Sequence, residues 1–382
     1  MKKYLLIIFI FLNVLKSFSQ NENQDWILFK DEKNDELIGY KDLNGEVKIE
    51  PKFTFLTNAN VFKNIIPVFE KVNIKNKEDY KTTEYYLLKN GKKVGVDSLY
   101  VFDFTLDCEN EDKIRFRDPK TDKVGFFDKN GKVIISAIYN DASTFHNGLA
   151  IVIRDAKRIC WEGEEVSKEN PCEHWSWKGT TQIINSKNEL ILDNVDLQKF
   201  QNIDWYSLQI NPKEINSDNI TFKALDGNIY AFKNTEKEFE TWLYNEFISK
   251  SEKTNFLNNC FENITVCKNA NLKSKEFENS KFEAYAWAFD KKENVYKNNK
   301  DFIVKIIEII SLKKLKINIS NGSSPVLFEY ENNKSFYNNC GEYLNEKCPY
   351  FKVYIRKEDG FSKQYYLGFI RTKQGYKLIE IS

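Results

Sequence analysis

The sequence predicts a mainly β N-terminal array of repeated hairpins, followed by an α+β C-terminal domain with an antiparallel sheet. Three observations carry this expectation. The stretch Lys123 to Val152, KVGFFDKNGKVIISAIYNDASTFHNGLAIV, has a weaker copy beginning at Leu37. The pairs Asn44-Gly45, Asn90-Gly91 and Asn130-Gly131 each adjoin runs rich in Val, Ile and aromatics, the short-range signal of antiparallel hairpins. After Asn211-Pro212 the repeat fades, and a helical stripe is followed by alternating strands.

Residues 1–19 open with Lys2-Lys3, run through apolar Tyr4 to Leu12 and end Ser17-Phe18-Ser19 before Gln20. This is the pattern of a secretory signal peptide, cleaved before Gln20. The apolar run is too short to cross about 30 Å of hydrocarbon, and no cysteine follows it to carry a lipid. The mature chain is therefore expected to be exported, periplasmic or extracellular, with no transmembrane segment left. Its 57 basic and 56 acidic side chains leave a net charge of +1, so no global field draws it to nucleic acid.

The repeats span residues 26–210. Placing Gly39 on Gly125 sets Asp42 on Asp128, Asn44-Gly45 on Asn130-Gly131 and Phe53 on Tyr139 without a gap. Copies are expected near 37–72, 86–118, 123–154 and 175–210. In the second, Lys93-Val94-Gly95-Val96-Asp97 is read as the opening strand and Ile114-Arg115-Phe116 as the closing one. In the fourth, Asn188 stands where Gly131 stood, and Asn tolerates the positive φ that such a turn needs. One hairpin cannot bury its apolar face alone, whereas stacked copies can.

These residues resemble WG-repeat proteins, found widely in bacteria: an aromatic-X-Asp, an Asn-Gly turn, a Val-Ile run, Tyr, then Phe and Gly-Leu-Ala. The slot of the eponymous tryptophan holds Ile38, Val94 and Val124 and keeps only its apolar character. The resemblance implies a hairpin scaffold used for binding rather than catalysis.

Between the third and fourth copies, residues 154–178 form an insertion holding Trp161, Trp175 and Trp177. If Leu149 to Trp161 pairs with His174 to Ile184, Cys160 and Cys172 can tie the distal end. Trp175 and Trp177 then share a face, because strand side chains repeat every two residues. With Arg154, Lys157 and Arg158 opposite, the insertion reads either as an aromatic and cationic surface or as indoles covering the core. The candidate binding residues are Trp161, His174, Trp175, Trp177 and Arg158.

Seven cysteines in an exported chain are disulfide material. Sequence proximity pairs Cys160 with Cys172, Cys260 with Cys267 and Cys340 with Cys348, leaving Cys108 buried and inert. Zinc is the competing reading, but Cys160, Cys172 and His174 lack a fourth ligand nearby, so no metal is expected.

The C-terminal domain, residues 233–382, is expected to open with a helix over Glu236 to Ser249, with Phe239, Trp242, Leu243 and Phe247 on one stripe. A second helix is read over Asp301 to Lys313, where the many isoleucines would also suit a strand. Strands are expected at Leu315 to Ser320, Tyr350 to Arg356, Gln364 to Arg371 and Tyr376 to Ile381, with turns at Asp359-Gly360 and Gln374-Gly375. In element order alone this resembles SnoaL-like or cystatin-like α+β rolls, which implies a cone between helix and sheet. Trp242, Trp287, Tyr366 and Phe369 would line that cone or simply fill a core.

Catalytic signatures are absent: no Gly-X-Ser-X-Gly, phosphate loop, dinucleotide fingerprint or His-Glu-X-X-His occurs. The two histidines are His146, expected to face solvent from a repeat turn, and His174. The acidic cluster Asp107, Glu109, Glu111 and Asp112 is expected to be solvated. No catalytic residue and no cofactor are assigned. The leading expectation is a non-catalytic binding or scaffolding module whose partner is a protein or an envelope glycan. A glycan or small-ligand binder using the Trp-rich hairpin or the C-terminal roll comes second. An envelope hydrolase with paired carboxylates comes third.

Overall fold

The computed structural model describes residues 24–32, 36–73, 80–250, 252–271, 283–311, 315–325, 333–357 and 364–382, without the side chains of 73, 80, 268–271, 283–287 and 357. The expected signal peptide 1–19, the expected Asp359-Gly360 turn and the Trp287 side chain lie outside what is described. No helix among the described residues is long and apolar enough to cross a membrane. The chain forms two compact units. One holds the residues through Val195 together with Asn338–Glu342, and the other holds Asp196–Tyr337 and Tyr343–Ser382.

The N-terminal unit is built of strands. In order they are β1 (Trp26–Lys30), β2 (Leu37–Lys41), β3 (Val47–Thr54), β4 (Val61–Phe62), β5 (Ile65–Asn73), β6 (Tyr80–Leu88), β7 (Lys93–Val94), β8 (Val101–Phe102) and β9 (Thr105–Leu106). They continue as β10 (Lys113–Asp118), β11 (Lys123–Asp128), β12 (Val133–Tyr139), β13 (Asp141–Ala142), β14 (Leu149–Cys160), β15 (Trp175–Asn185) and β16 (Leu190–Leu192). The sheets follow the orders β4-β1-β2-β3-β5-β6-β7, β10-β11-β12, β13-β14-β15-β16 and β8-β9.

Each hairpin closes with one hydrogen-bond pattern. Gly45 N–H donates to the Asp42 carbonyl at 3.0 Å and Asp42 N–H to that of Glu46 at 2.9 Å. The same pair of bonds joins Gly91 to Leu88 and Leu88 to Lys92, Gly131 to Asp128 and Asp128 to Lys132, and Asn188 to Asn185 and Asn185 to Glu189. The fourth residue has φ of 89°, 81°, 71° and 65° in the four copies, so Asn188 does adopt the left-handed backbone that glycine takes elsewhere. The first residue explains the repeat's Asp. Asp42, Asp128 and Asn185 each accept, on Oδ1, the N–H groups two and four residues ahead.

This pattern corrects the frame of the second copy. Lys93-Val94 is β7, which pairs with β6 across the Asn90-Gly91 turn, so it is the returning strand of a hairpin and not the opening one. The opening strand is β6, whose Tyr85-Tyr86-Leu87-Leu88 does not alternate in polarity because both of its faces are buried. Tyr85 and Leu87 join the first core with Tyr40, Phe53 and Phe62. Tyr86 and Leu88 join the second with Ile114 and Phe116. One repeat later, Phe127 enters the second core while Val124 and Phe126 enter the third. Opening strands are thus shared between successive cores.

The expected end of the array at Ile210 is also displaced. Asp196 begins the C-terminal unit, where β17 (Ile203–Ile210), β18 (Asn219–Lys223) and β19 (Ile229–Asn234) form a small sheet in the order β17-β19-β18. A second sheet follows from β20 (Cys260–Asn271), β21 (Glu283–Lys291), β22 (Leu315–Gly322), β23 (Tyr350–Lys357), β24 (Tyr365–Thr372) and β25 (Gly375–Ile381). Its order is β21-β20-β25-β24-β23-β22, antiparallel except where β20 meets β25. Helices α1 (Thr235–Trp242, continued as a π-turn to Ile248), α2 (Lys253–Asn258), α3 (Lys292–Asn298) and α4 (Lys300–Ile310) accompany this sheet. Phe239, Leu243, Phe256 and Ile303 from these segments pack into its core. Asn234 caps α1 by accepting from Lys237 N–H.

The cone expected between helix and sheet is filled. Trp242 and Phe369 pack edge to face at 5.6 Å within the core. Tyr366 instead donates to the buried Glu380 carboxylate at 2.9 Å, in a cluster with Tyr350.

Candidate functional site

The insertion after the third copy is a long hairpin. β14 and β15 pair from Leu149↔Asn185 to Cys160↔Trp175, interrupted by a bulge between Arg154 and Lys157. Asp155 takes φ of 49° in that bulge, and a Cβ on the facing Gly179 would come within 2.4 Å of the Ala156 side chain. At the distal end Cys160 and Cys172 form a disulfide, and Cys160-Trp161-Glu162-Gly163-Glu164 closes with the same hydrogen bonds as the repeat turns.

The five candidate residues fall into two adjoining groups. Trp175 and Trp177 lie on one face with ring centroids 5.2 Å apart, edge to face. Arg158 stands directly across from Trp177, and its guanidinium lies 4.4 Å from the Trp175 ring and 4.9 Å from the Trp177 ring. Asp122 pairs with that guanidinium at 2.5 Å. Lys157 pairs with Glu165 and Arg154 faces Tyr139, so of the three cations expected beside the indoles Arg158 is the one that touches them. At the tip, Trp161 is 72% exposed and stacks on exposed His174 with centroids 4.8 Å apart. An indole pair oriented by one fixed cation, next to an exposed indole–imidazole stack, offers flat apolar faces with polar edges.

Two of the three expected cysteine pairs are corrected. Cys260 and Cys267 both lie on β20 and are both free. Seven positions along the strand separate them by roughly 20 Å, against the ~7 Å limit for Cα atoms joined by a disulfide. Cys348 is free as well, because Cys340 is bonded to Cys108, with Cα atoms 6.0 Å apart and 232 positions between them in sequence. Cys108 is therefore a structural cross-link and not an inert leftover. The segment Asn338–Glu342 belongs to the N-terminal unit and closes with the repeat's own turn, including the Asn338 side chain accepting from Cys340 and Glu342 N–H. Burial pushes the Cys260 thiol up to about 12 and Cys348 up to about 11, so neither is an activated nucleophile.

Two members of the acidic cluster are not solvated as expected. Asp107 and Glu109 are buried. Asp107 accepts from Arg115 N–H at 2.8 Å and pairs with its guanidinium, while Glu109 accepts from the N–H groups of Asn64 and Ile65. Burial raises Glu109 above the usual carboxylate range, only partly offset by the Asn64 hydrogen bond. Glu111 accepts from Asn147 and Gly148 N–H in the third copy's turn, and Asp112 pairs with Lys129. Each of these carboxylates joins neighbouring parts of the array. His146, expected at the surface, is half-buried, with Nε2 3.1 Å from Thr144 Oγ1.

An apolar edge lies apart from the residues predicted from the sequence. Phe55 is 70%, Phe102 68% and Phe104 97% exposed. Phe55 and Val101 occupy the slot of Asp141 in the third copy, and the side-chain amide of Asn58 donates to Leu106 O, which brings the two loops together. Asp103 and Phe104 both take positive φ, a conformation rare for an aromatic residue. The signal was legible: hydrophobic residues replace Asp141-Ala142 in two aligned copies.

Chains of hairpins with shared cores describe a repeat architecture, and the comparison with known families agrees. No curated protein and no solved structure matches the chain. Residues 125–157, from the glycine of β11 to the insertion hairpin, match the family model described as WG containing repeat, and the N-terminal unit therefore carries a WG-containing repeat.

Proposed function

We propose that this protein is an exported, non-catalytic binding module that engages a protein or glycan partner at the cell envelope through the hairpin following its WG-containing repeat. A repeat array supports binding because its stacked cores hold loops and insertions rigidly at their margins. The secretory pattern of the first residues and two cross-links of disulfide geometry support export. The observation that carries the reading is the pair Trp175 and Trp177 oriented around Arg158, on an insertion that the repeat itself does not require. Aromatic residues and Arg dominate the energetics of recognition surfaces.

The test replaces Trp161, and in a second variant Trp175 and Trp177 together, with Ala, and measures retention of cross-linked envelope proteins and binding of defined envelope glycans. Loss of about tenfold or more in affinity by a variant with unchanged near-ultraviolet circular dichroism is expected. Full retention by both folded variants would rule the hairpin out.

A further inference from the structure

The net charge of +1 hides an uneven distribution. In the C-terminal unit a cleft of about 1090 Å³ opens between the end of α2, the start of β20, the junction of β21 with α3 and the β24–β25 turn. Lys291, Lys292, Lys347, Lys373, Lys377 and Arg371 line it, against the carboxylates Glu262 and Glu293 among the described residues. Arg371 is neutralised by Asp204 and Glu238. The five lysines are not: none has a carboxylate within ion-pair distance among the described residues. Lys347 rests over the Tyr206 ring at 5.0 Å, and Lys377 donates to the Asn258 carbonyl at 2.8 Å. Five ammonium groups facing two carboxylates leave an uncompensated charge of about three in one concavity, where low-dielectric walls focus the field.

We propose that this cleft binds a multiply charged anion, one bearing several phosphate or carboxylate groups. Its volume exceeds the needs of a single phosphate, and Phe261 and Phe336, packed edge to face at 5.9 Å, form an apolar wall for the body of a larger ligand. Lysines act as mobile point charges, which suits a flexible polyanion better than planar bidentate recognition would. The crowding is visible at Lys377: burial first, and then the nearby Lys292 ammonium, lower it below the usual lysine range. A bound anion would relieve that repulsion.

Isothermal titration calorimetry of the full chain at low salt, with sodium tripolyphosphate and separately with citrate, tests the assignment. Saturable one-to-one binding of at least one probe is expected, and the stronger of the two identifies phosphate or carboxylate as the preferred group. The variant carrying Lys292→Gln and Lys373→Gln should weaken binding about tenfold, and raising the salt should weaken the wild type in the same direction. Glu262→Gln should tighten it, an opposite change that loss of structure cannot imitate. Absence of saturable binding with both probes, or equal affinity in wild type and double variant, would overturn the proposal.

Discussion

Gly39 and Gly125 occupy the same repeat slot for a reason unrelated to φ. A Cβ on Gly39 would sit 2.4 Å from the Ile49 carbonyl oxygen, and one on Gly125 2.5 Å from that of Ile135. In each copy the strand pairing is bulged at the glycine, between Ile38 and Tyr40 and between Val124 and Phe126. Gly45 is different: it has φ of 89°, and a Cβ added there would meet nothing within 4 Å, so only the backbone conformation constrains it. Gly125→Ala is therefore expected to cost about 2 kcal/mol or more, because backbone must shift, whereas Gly45→Asn should cost about 1 kcal/mol or less, since Asn tolerates the left-handed region. Urea unfolding of the two variants beside wild type checks the order. Equal destabilisation would show that φ governs both slots.

At the scale of elements, one carboxylate stitches four strands of the first sheet. Glu70 on β5 pairs with Lys52 on β3 at 3.0 Å and with Lys93 on β7 at 2.5 Å, and accepts from Tyr85 on β6 at 2.6 Å. Burial pushes its pKa up, but Lys93, Tyr85 and Lys52 outweigh that and hold it at about 2, against 4.5 for an ordinary glutamate. A depressed folded-state pKa means stability that is fully present above the unfolded value and is lost as pH falls through the folded one. The stability difference between wild type and Glu70→Gln should thus be constant near neutrality and vanish as pH falls from about 4.5 towards about 2. Chemical denaturation across that range measures it. A difference that is independent of pH would mean that Glu70 acts through packing alone.

Across the whole molecule, the Cys108–Cys340 bond joins residues 232 positions apart and encloses most of the C-terminal unit's sequence in one covalent loop. On the chain-entropy model such a closure removes about 5 kcal/mol of freedom from the unfolded chain. Non-reducing peptide mapping should recover Cys108 linked to Cys340 and Cys160 linked to Cys172, with Cys260, Cys267 and Cys348 as thiols. The variant Cys108→Ser with Cys340→Ser should lose about 2–5 kcal/mol. Recovery of a Cys340–Cys348 peptide would contradict the fold of the 338–342 turn.

Sequence and structure agree on turns, one short cross-link and a helix stripe, but not on the short-range pairs Cys260 with Cys267 and Cys340 with Cys348. The Asn-Gly and Asn188 turns, the Cys160–Cys172 hairpin and the α1 stripe each depend on residues a few positions apart, whose steric and hydrogen-bonding preferences survive any tertiary context. The second copy departs from its expected frame because Tyr85-Tyr86-Leu87-Leu88 lacks the alternation of a half-buried strand. Its two faces serve two different cores, a fact set by the neighbouring copies. β20 and β21 are likewise illegible in the sequence, since no Asn-Gly or Asp-Gly pair marks where either begins or ends.

By itself, then, the sequence determined the hairpin repeat, its turn chemistry and, in the C-terminal unit, the helices α1 and α4 and the strands β22 to β25, because each is encoded by periodicity and short-range spacing. Tertiary structure alone decided which cysteine meets Cys108, that Asp107 and Glu109 are buried supports, and that five lysines from distant segments converge on one cleft. Those outcomes depend on which residues the folded chain brings together across long separations, where loop-closure entropy and packing, not local preference, select the partner.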